Sequence, residues 1–242
     1  MTAPLLLGLV LGVAAAPQER FRAAGDLARQ GDYLKAVAAY EQLLGQGVET
    51  ASLYWNWSQA ASARGADGEA LWALLRAREL EPGDAAVSRE IERVRERLDL
   101  DPAEIAPEPR AALARSARRF RLDLVALVLL GASLAGHVVA RLLPAARWPR
   151  YGAWSTFALG ALLAVLCLVG SLASPTAVVL QRGVTLLDSA SPTAEAIGSL
   201  REGEVVPILT ESGDYLRVED SSGARGWARR EGVRAVLSAP SP

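Results

Sequence analysis

The chain has 242 residues and holds one histidine, His137, and one cysteine, Cys167. Both sit inside long apolar stretches, without a partner nearby in sequence. No Ser-His-acid or Cys-His arrangement can be drawn from them. No glycine-rich phosphate loop or metal-ligand spacing occurs either. The residues predict no catalytic, metal-binding or cofactor-binding centre, and the chain reads as a non-enzyme. A membrane-embedded ionisable group is a functional hypothesis by default; a neutral His137 packed on the partner helix is the preferred reading here. The lone cysteine excludes an internal disulfide. The remaining chemistry lies in arginines, with Lys35 as the one lysine. Arg110, Arg115, Arg118, Arg119 and Arg121 form one run, and Arg141, Arg147 and Arg150 another. Such guanidinium groups either contact lipid phosphates or stay solvated. The net charge of −1 excludes a dedicated nucleic-acid binder, which would carry a basic domain.

The elements that position these groups follow from where the apolar residues lie. The chain is 51% hydrophobic and 22% charged, and the excess is concentrated. Leu5 to Ala16 is too short to span a bilayer and ends in small residues, so residues 1–16 read as a secretory signal. Met1-Thr2-Ala3 lacks the basic residues of such a segment, which leaves an uncleaved hydrophobic N-terminus as the alternative. Residues 122–143 and 151–173 are each long and apolar enough to cross a membrane as a helix. The short segment 144–150 between them predicts an antiparallel hairpin with a cytoplasmic loop. Trp148, Tyr151 and Trp154 cluster at one interface. Gly131-x₃-Ala135, Gly136-x₃-Ala140 and Gly160-x₃-Ala164 supply small-residue spacings for helix packing. Arg110–Arg121 taken alone would place the N-terminal part in the cytoplasm; an exported N-terminus places it outside, and that reading is preferred. The location is then the cytoplasmic (inner) membrane, with the flanking parts periplasmic.

Residues 17–100 carry a 34-residue self-similarity. Gly31 pairs with Gly65, Ala36 with Ala70, Ala39 with Ala73 and Tyr40 with Leu74. Each glycine ends a helix, the alanines let the next helix pack closely, and the larger residue fills the gap. The pattern resembles the tetratricopeptide (TPR) repeat, with Pro82 where that family often closes a repeat. Repeat one is about 17–50, repeat two about 51–84, and Ala85 to Leu98 makes a capping helix. The resemblance implies peptide or protein binding on the face of the first helices. The matching positions are Phe21, Gly25, Arg29, Trp55, Gln59, Ser62, Arg89 and Arg93. Trp55 beside Arg89 and Arg93 would suit an extended or acidic partner segment, or Trp55 simply packs on a neighbouring helix. Residues 101–121 read as a linker followed by an amphipathic juxtamembrane helix, because prolines mixed with charges cannot build a core.

From Thr176 the pattern changes to period two between turns. Ala177–Leu180, Val184–Leu187, Val205–Leu209, Tyr215–Val218 and Gly226–Ala228 are strand candidates, and five or six strands suggest a small barrel. The spacing of Gly198, Gly203, Gly213-Asp214-Tyr215, Gly223 and Gly226-Trp227 resembles the bacterial SH3-like domain, over 176–238. That resemblance implies peptidoglycan or protein binding, with Tyr215 and Trp227 as exposed-aromatic candidates. Trp227 in the barrel core stands as the other reading.

The predicted fold class is a multi-domain membrane protein: an all-α TPR helical array, a two-helix transmembrane hairpin and a small all-β SH3-like barrel. This order resembles the TPR-containing (BatE-like) proteins of the Bacteroides aerotolerance operon family. The resemblance implies a membrane-anchored scaffold working beside a MoxR-type AAA ATPase, von Willebrand factor A-domain membrane proteins and a BatD-type protein. The expected partners are therefore other proteins, Bat-operon membrane proteins among them, and the lipid bilayer. A cell-wall anchor whose SH3-like domain binds peptidoglycan is the rival expectation.

Overall fold

A computed structural model of the chain describes residues 17–106, 110, 113, 116–117, 119–142, 148–172 and 174–236. The expected signal at 1–16 lies outside the described residues. So do residues 111–112, 114–115 and 118 of the helix expected before the first apolar stretch, residue 143 of the first expected span and residues 144–147 of the hairpin loop. The chain forms two compact units. One is built from residues up to 107 together with residues from 175 onward, and the other from residues 108–174.

Among the described residues the first unit has five helices: α1 over 17–29, α2 (Tyr33–Gly45), α3 (Ala51–Ala63), α4 (Asp67–Leu80) and α5 (Ala85–Arg97). The starts of α2 and α4 are 34 residues apart, as are those of α3 and α5. Gly31 and Gly65 adopt φ of +83° and +77°, the left-handed geometry that costs glycine nothing. There the chain reverses with paired hydrogen bonds, Gly31 N to Ala28 O and Asp32 N to Leu27 O, then Gly65 N to Ser62 O and Ala66 N to Ala61 O. Thr50 caps α3 by accepting from Leu53 N at 3.1 Å, and Asp84 caps α5 through Ala86 N at 2.7 Å. Ala36, Ala70 and Ala73 are wholly buried, as are Tyr40 and Leu74 beside them. Tyr54, Trp57 and Trp72 form an aromatic centre, with Trp57 and Trp72 edge-to-face at 5.1 Å.

Seven strands complete this unit: β1 (Thr176–Val179), β2 (Val184–Leu187), β3 (Ala196–Leu200), β4 (Val205–Ser212), β5 (Tyr215–Glu219), β6 (Arg225–Arg229) and β7 (Val233–Ala235). Their order is β3-β2-β6-β5-β4-β1-β7, with every neighbouring pair antiparallel. β3 and β7 were absent from the strand expectations. β3 is an edge strand with only Leu200 buried, so it carries no alternation, and β7 is three residues long. Ala177, Val179, Val206, Ile208, Leu216, Val218 and Ala228 point into the core of the β module.

The helices and the β module share a core. Val178 on β1, Val205 on β4 and Val236 after β7 are buried with the helical residues, not with the β core. β1 is thus buried on both faces, which is why Ala177-Val178-Val179-Leu180 is an unbroken apolar run. The stretch 101–106 departs from a free linker. Glu104 and Ile105 are buried, and Glu104 O accepts from Val205 N at 2.8 Å. Proline and charge in this stretch are accommodated because Glu104 finds partners: Asp101 N donates to its carboxylate at 2.6 Å and Arg201 at 2.9 Å.

The second unit holds α6 (Leu122–Leu142) and α7 (Trp148–Ser171), packed on each other. Both are long and apolar enough to cross a membrane. Their outer surfaces are apolar, with Leu127, Val128, Leu134, Leu162 and Leu168 exposed. The seam is small: Ala126, Ser133 and Ala140 on α6, at seven-residue spacing, against Ala153 and Gly160 on α7. A Cβ at Gly160 would stand 3.1 Å from Leu130 Cγ. Gly131 and Ala135 lie off this seam, with open space around Gly131, so that expected small-residue spacing does not pack the hairpin. Ser133 Oγ donates to Ala153 O at 2.8 Å across the seam. His137 Nδ1 meets Ser133 O at 2.9 Å, and its ring stands edge-on to Trp154.

Candidate functional site

The helices and the β module meet along one face of α4. Gly68 faces the β1 backbone so closely that a Cβ would stand 2.6 Å from the carbonyl oxygens of Val179 and Leu180. Its N–H donates to Glu202 at 3.0 Å. One turn on, Trp72 Nε1 donates to Ala235 O at 2.9 Å. A further turn on, Arg76 donates to Val236 O. From the β side, Arg234 pairs with Glu41 at 2.7 Å and lies 4.7 Å from the Trp72 ring centroid.

These contacts border a cleft of about 570 Å³, lined in part by Glu41, Glu49, Tyr54, Arg76, Arg230 and Arg234. Tyr54 hydroxyl donates to Glu49 at 2.9 Å and accepts from Arg76 Nε at 3.3 Å. Burial pushes the Tyr54 phenol above its ordinary range. Burial opposes the Arg76 charge too, but its bonds to Tyr54 and Glu49 prevail, and its guanidinium is held more firmly protonated than usual. The cations lining the cleft are engaged by carboxylates: Arg76 by Glu49, Arg234 by Glu41 and Arg230 by Glu211. The cleft is therefore internally neutralised and reads as a clasp between the two parts, not an empty anion site.

Gly68, Trp72 and Arg76 were not among the residues expected from the sequence to carry a site. The signal was available in the difference between the repeats. Positions 34, 38 and 42 of the first repeat are Leu34, Ala38 and Gln42, all exposed. At the same three positions, 34 residues on, the second repeat substitutes a glycine, a tryptophan and an arginine, and these dock the β module.

The residues expected on the first-helix face are dispersed over α1, α3 and α5, and among the described residues no side-chain hydrogen bond joins one of them to another. Phe21 is half-buried against Tyr40, ring centroids 6.0 Å apart. Arg29 is exposed and paired with Asp26. Trp55 is half-buried against the helical core, while Gln59 is exposed. Arg89 and Arg93 lie one turn apart on α5, both exposed, with Arg93 paired to Glu90. The β module leans on α4 and leaves these exposed side chains uncovered.

Tyr215 and Trp227 are brought together. Both are half-buried and lie on the outer face of the β5–β6 pair, while Leu216, Val218, Gly226 and Ala228 face inward. Trp227 is thus not a core residue. Gly226 beside it is held to glycine by packing: a Cβ would stand 2.5 Å from Leu186 Cγ and 2.8 Å from Leu187 O. Gly226→Ala is therefore expected to destabilise the β module by about 2 kcal/mol through overpacking. Chemical denaturation would check this, and unchanged stability would count against so tight an approach.

Residues 181–234 match the bacterial SH3 domain family, a class of protein-interaction or peptidoglycan-binding module and not a catalytic one. No curated protein and no solved structure matches the chain.

Proposed function

We propose that, with a bacterial SH3 domain as its defining module, the chain is a non-catalytic, membrane-anchored scaffold for protein–protein interaction in an envelope complex. The observation that carries the reading is the shared core. One interaction unit is assembled from residues on both sides of the apolar hairpin, and it leaves helical and β surfaces free. In this reading 17–100 is a TPR array with a capping helix, 122–143 and 151–173 are transmembrane helices, and 176–238 is the SH3-like domain. The inverted distribution of α6 and α7, small residues inside and leucines outside, suits hydrocarbon as the solvent. Because residues before and after the hairpin belong to one unit, both flanks lie on the same side of the membrane. The signal-like pattern of residues 1–16 supports the periplasm as that side. A phosphatase fused to the C-terminus should then be active, and activity from a cytoplasmic reporter alone would overturn the topology.

The specific complex we propose is Bat-like: an aerotolerance assembly with a MoxR-type ATPase and von Willebrand A-domain membrane proteins. Affinity purification of the tagged full chain from solubilised membranes tests it. Recovery of an A-domain protein supports the assignment, and its consistent absence, with other envelope proteins recovered, leaves a scaffold of another complex.

A second reading is favoured by one observation, the half-exposed Trp227 and Tyr215 sharing an outer sheet face: a cell-wall anchor or sensor that binds peptidoglycan. Sedimentation of the full chain with purified sacculi, lost in Trp227→Ala with the fold retained, would support it.

A further inference from the structure

We infer that the outer face of β5 and β6 docks an acidic segment of a partner protein, held by Arg217 and Arg229 between the rings of Tyr215 and Trp227. This deepens the interaction reading above and rests on it. The strand register sets Tyr215 opposite Arg229 and Arg217 opposite Trp227, so rings and cations alternate over one small patch. The next pair along, Glu219 and Arg225, satisfies itself at 2.7 Å. On the neighbouring strand, Thr210 and Ser212 stand in register with Arg217 and Tyr215 and are neutral. The single carboxylate on the outer face of these two strands is therefore already engaged.

Arg217 and Arg229 differ from the other arginines of the β module. Arg182, Arg201, Arg225, Arg230 and Arg234 each pair with a carboxylate. Arg217 and Arg229 are exposed and have no ion-pair or side-chain hydrogen-bond partner among the described residues. They are diagonal neighbours on adjacent strands, roughly 7–8 Å apart. Carboxylates two residues apart on an extended peptide are separated by about 7 Å and project to the same side. Each guanidinium can then take a carboxylate in two parallel charge-assisted hydrogen bonds. A largely neutral glycan strand would leave both cations unmatched, so the face calls for a carboxylate-bearing peptide chain and not a bare sugar backbone. Tyrosine, tryptophan and arginine are the side chains that carry most binding energy at protein interfaces. Here all three are mounted on paired strands, so little ordering remains to be done on binding.

The test uses the full chain in detergent and a short fluorescein-labelled peptide alternating glutamate with leucine, read by fluorescence anisotropy. A glutamine-for-glutamate analogue is the matched control. Binding of the acidic peptide, weakened at least tenfold in Arg217→Gln/Arg229→Gln and absent for the analogue, is the expected result. Both side chains are exposed, and an unchanged melting temperature checks that the variant folds. Binding that survives this variant but is lost in Arg89→Gln/Arg93→Gln overturns the inference and moves the interaction to α5, leaving the scaffold reading intact. Binding to sacculi with none to the peptide overturns the inference and favours the cell-wall anchor. No binding to either probe overturns the inference alone.

Discussion

Replacing Gly68 by leucine, the residue at the equivalent position of the first repeat, is expected to separate the β module from the helices. The added Cβ would meet two backbone carbonyl oxygens at 2.6 Å. Neither can yield cheaply, because the strand carrying them is pinned on both sides. Val179 N donates to Glu204 O at 3.0 Å and Leu180 N to Gly232 O at 2.9 Å. Undocking exposes Val178, Val205 and Val236 on the β side, each nearly or fully buried. At roughly 1.5–3 kcal/mol per buried valine, the loss is on the order of 5 kcal/mol. Hydrogen exchange of the detergent-solubilised chain should show the Val205 amide, which donates to Glu104 O, losing protection while α2 and α3 keep theirs. The reciprocal change, Leu34→Gly, alters an exposed helical position and should cost only about 1 kcal/mol. Equal effects at the two positions would refute the docking role assigned to Gly68.

Trp72→Ala carries the second large effect. The side chain is 3% exposed and packs edge-to-face on both Tyr54 and Trp57. Truncating a buried aromatic of this kind costs about 3–5 kcal/mol. The variant also deprives Ala235 O of its indole donor and removes the ring under Arg234. Trp72→Phe should recover part of the packing but not the hydrogen bond. Its cost, measured by denaturant titration, should fall between wild type and Trp72→Ala. A cycle with Arg234→Gln isolates the cation–ring contact, expected at about 0.5–2 kcal/mol. A coupling near zero would mean that Arg234 acts through Glu41 and the Trp57 ring, whose centroid lies 5.5 Å away.

Which features could be read from the sequence depended on how local their signal was. The β5 strand announces itself, since Tyr215-Leu216-Arg217-Val218 alternates and Gly213-Asp214 makes a two-residue turn into it. The bacterial SH3 match at 181–234 agrees with that reading. The apolar helices are equally local, because a run of about twenty mostly apolar residues needs no partner to be recognised. The docking face was not legible in this way. Its residues sit at 68, 72 and 76, and their departure from the first repeat looks like ordinary repeat degeneracy until the β backbone is placed against them. Likewise the unbroken apolar run Ala177–Leu180 fits a strand buried on both faces, but nothing in four residues says which element covers the second face. The surface proposed for partner binding shows the same division. Trp227 stands out by residue type, whereas Arg217 and Arg229 acquire meaning only from strand register, which sets them diagonally across from each other beside two rings.

The core shared by β1, β4 and the helices also constrains the order of events during synthesis. The helical segment emerges first, yet its apolar face against Val178, Val205 and Val236 stays open until residues beyond 175 are made. At about 5–20 residues per second, the hairpin alone delays that closure by several seconds. Through this interval the nascent helices expose the face that α4 later presents to the β module. In the two-span reading, closure also requires the second apolar helix to have returned the chain to its starting side. A completed interaction unit is then a built-in report that the hairpin has inserted, and a failed insertion leaves a half-cored helical segment for chaperones and proteases to find.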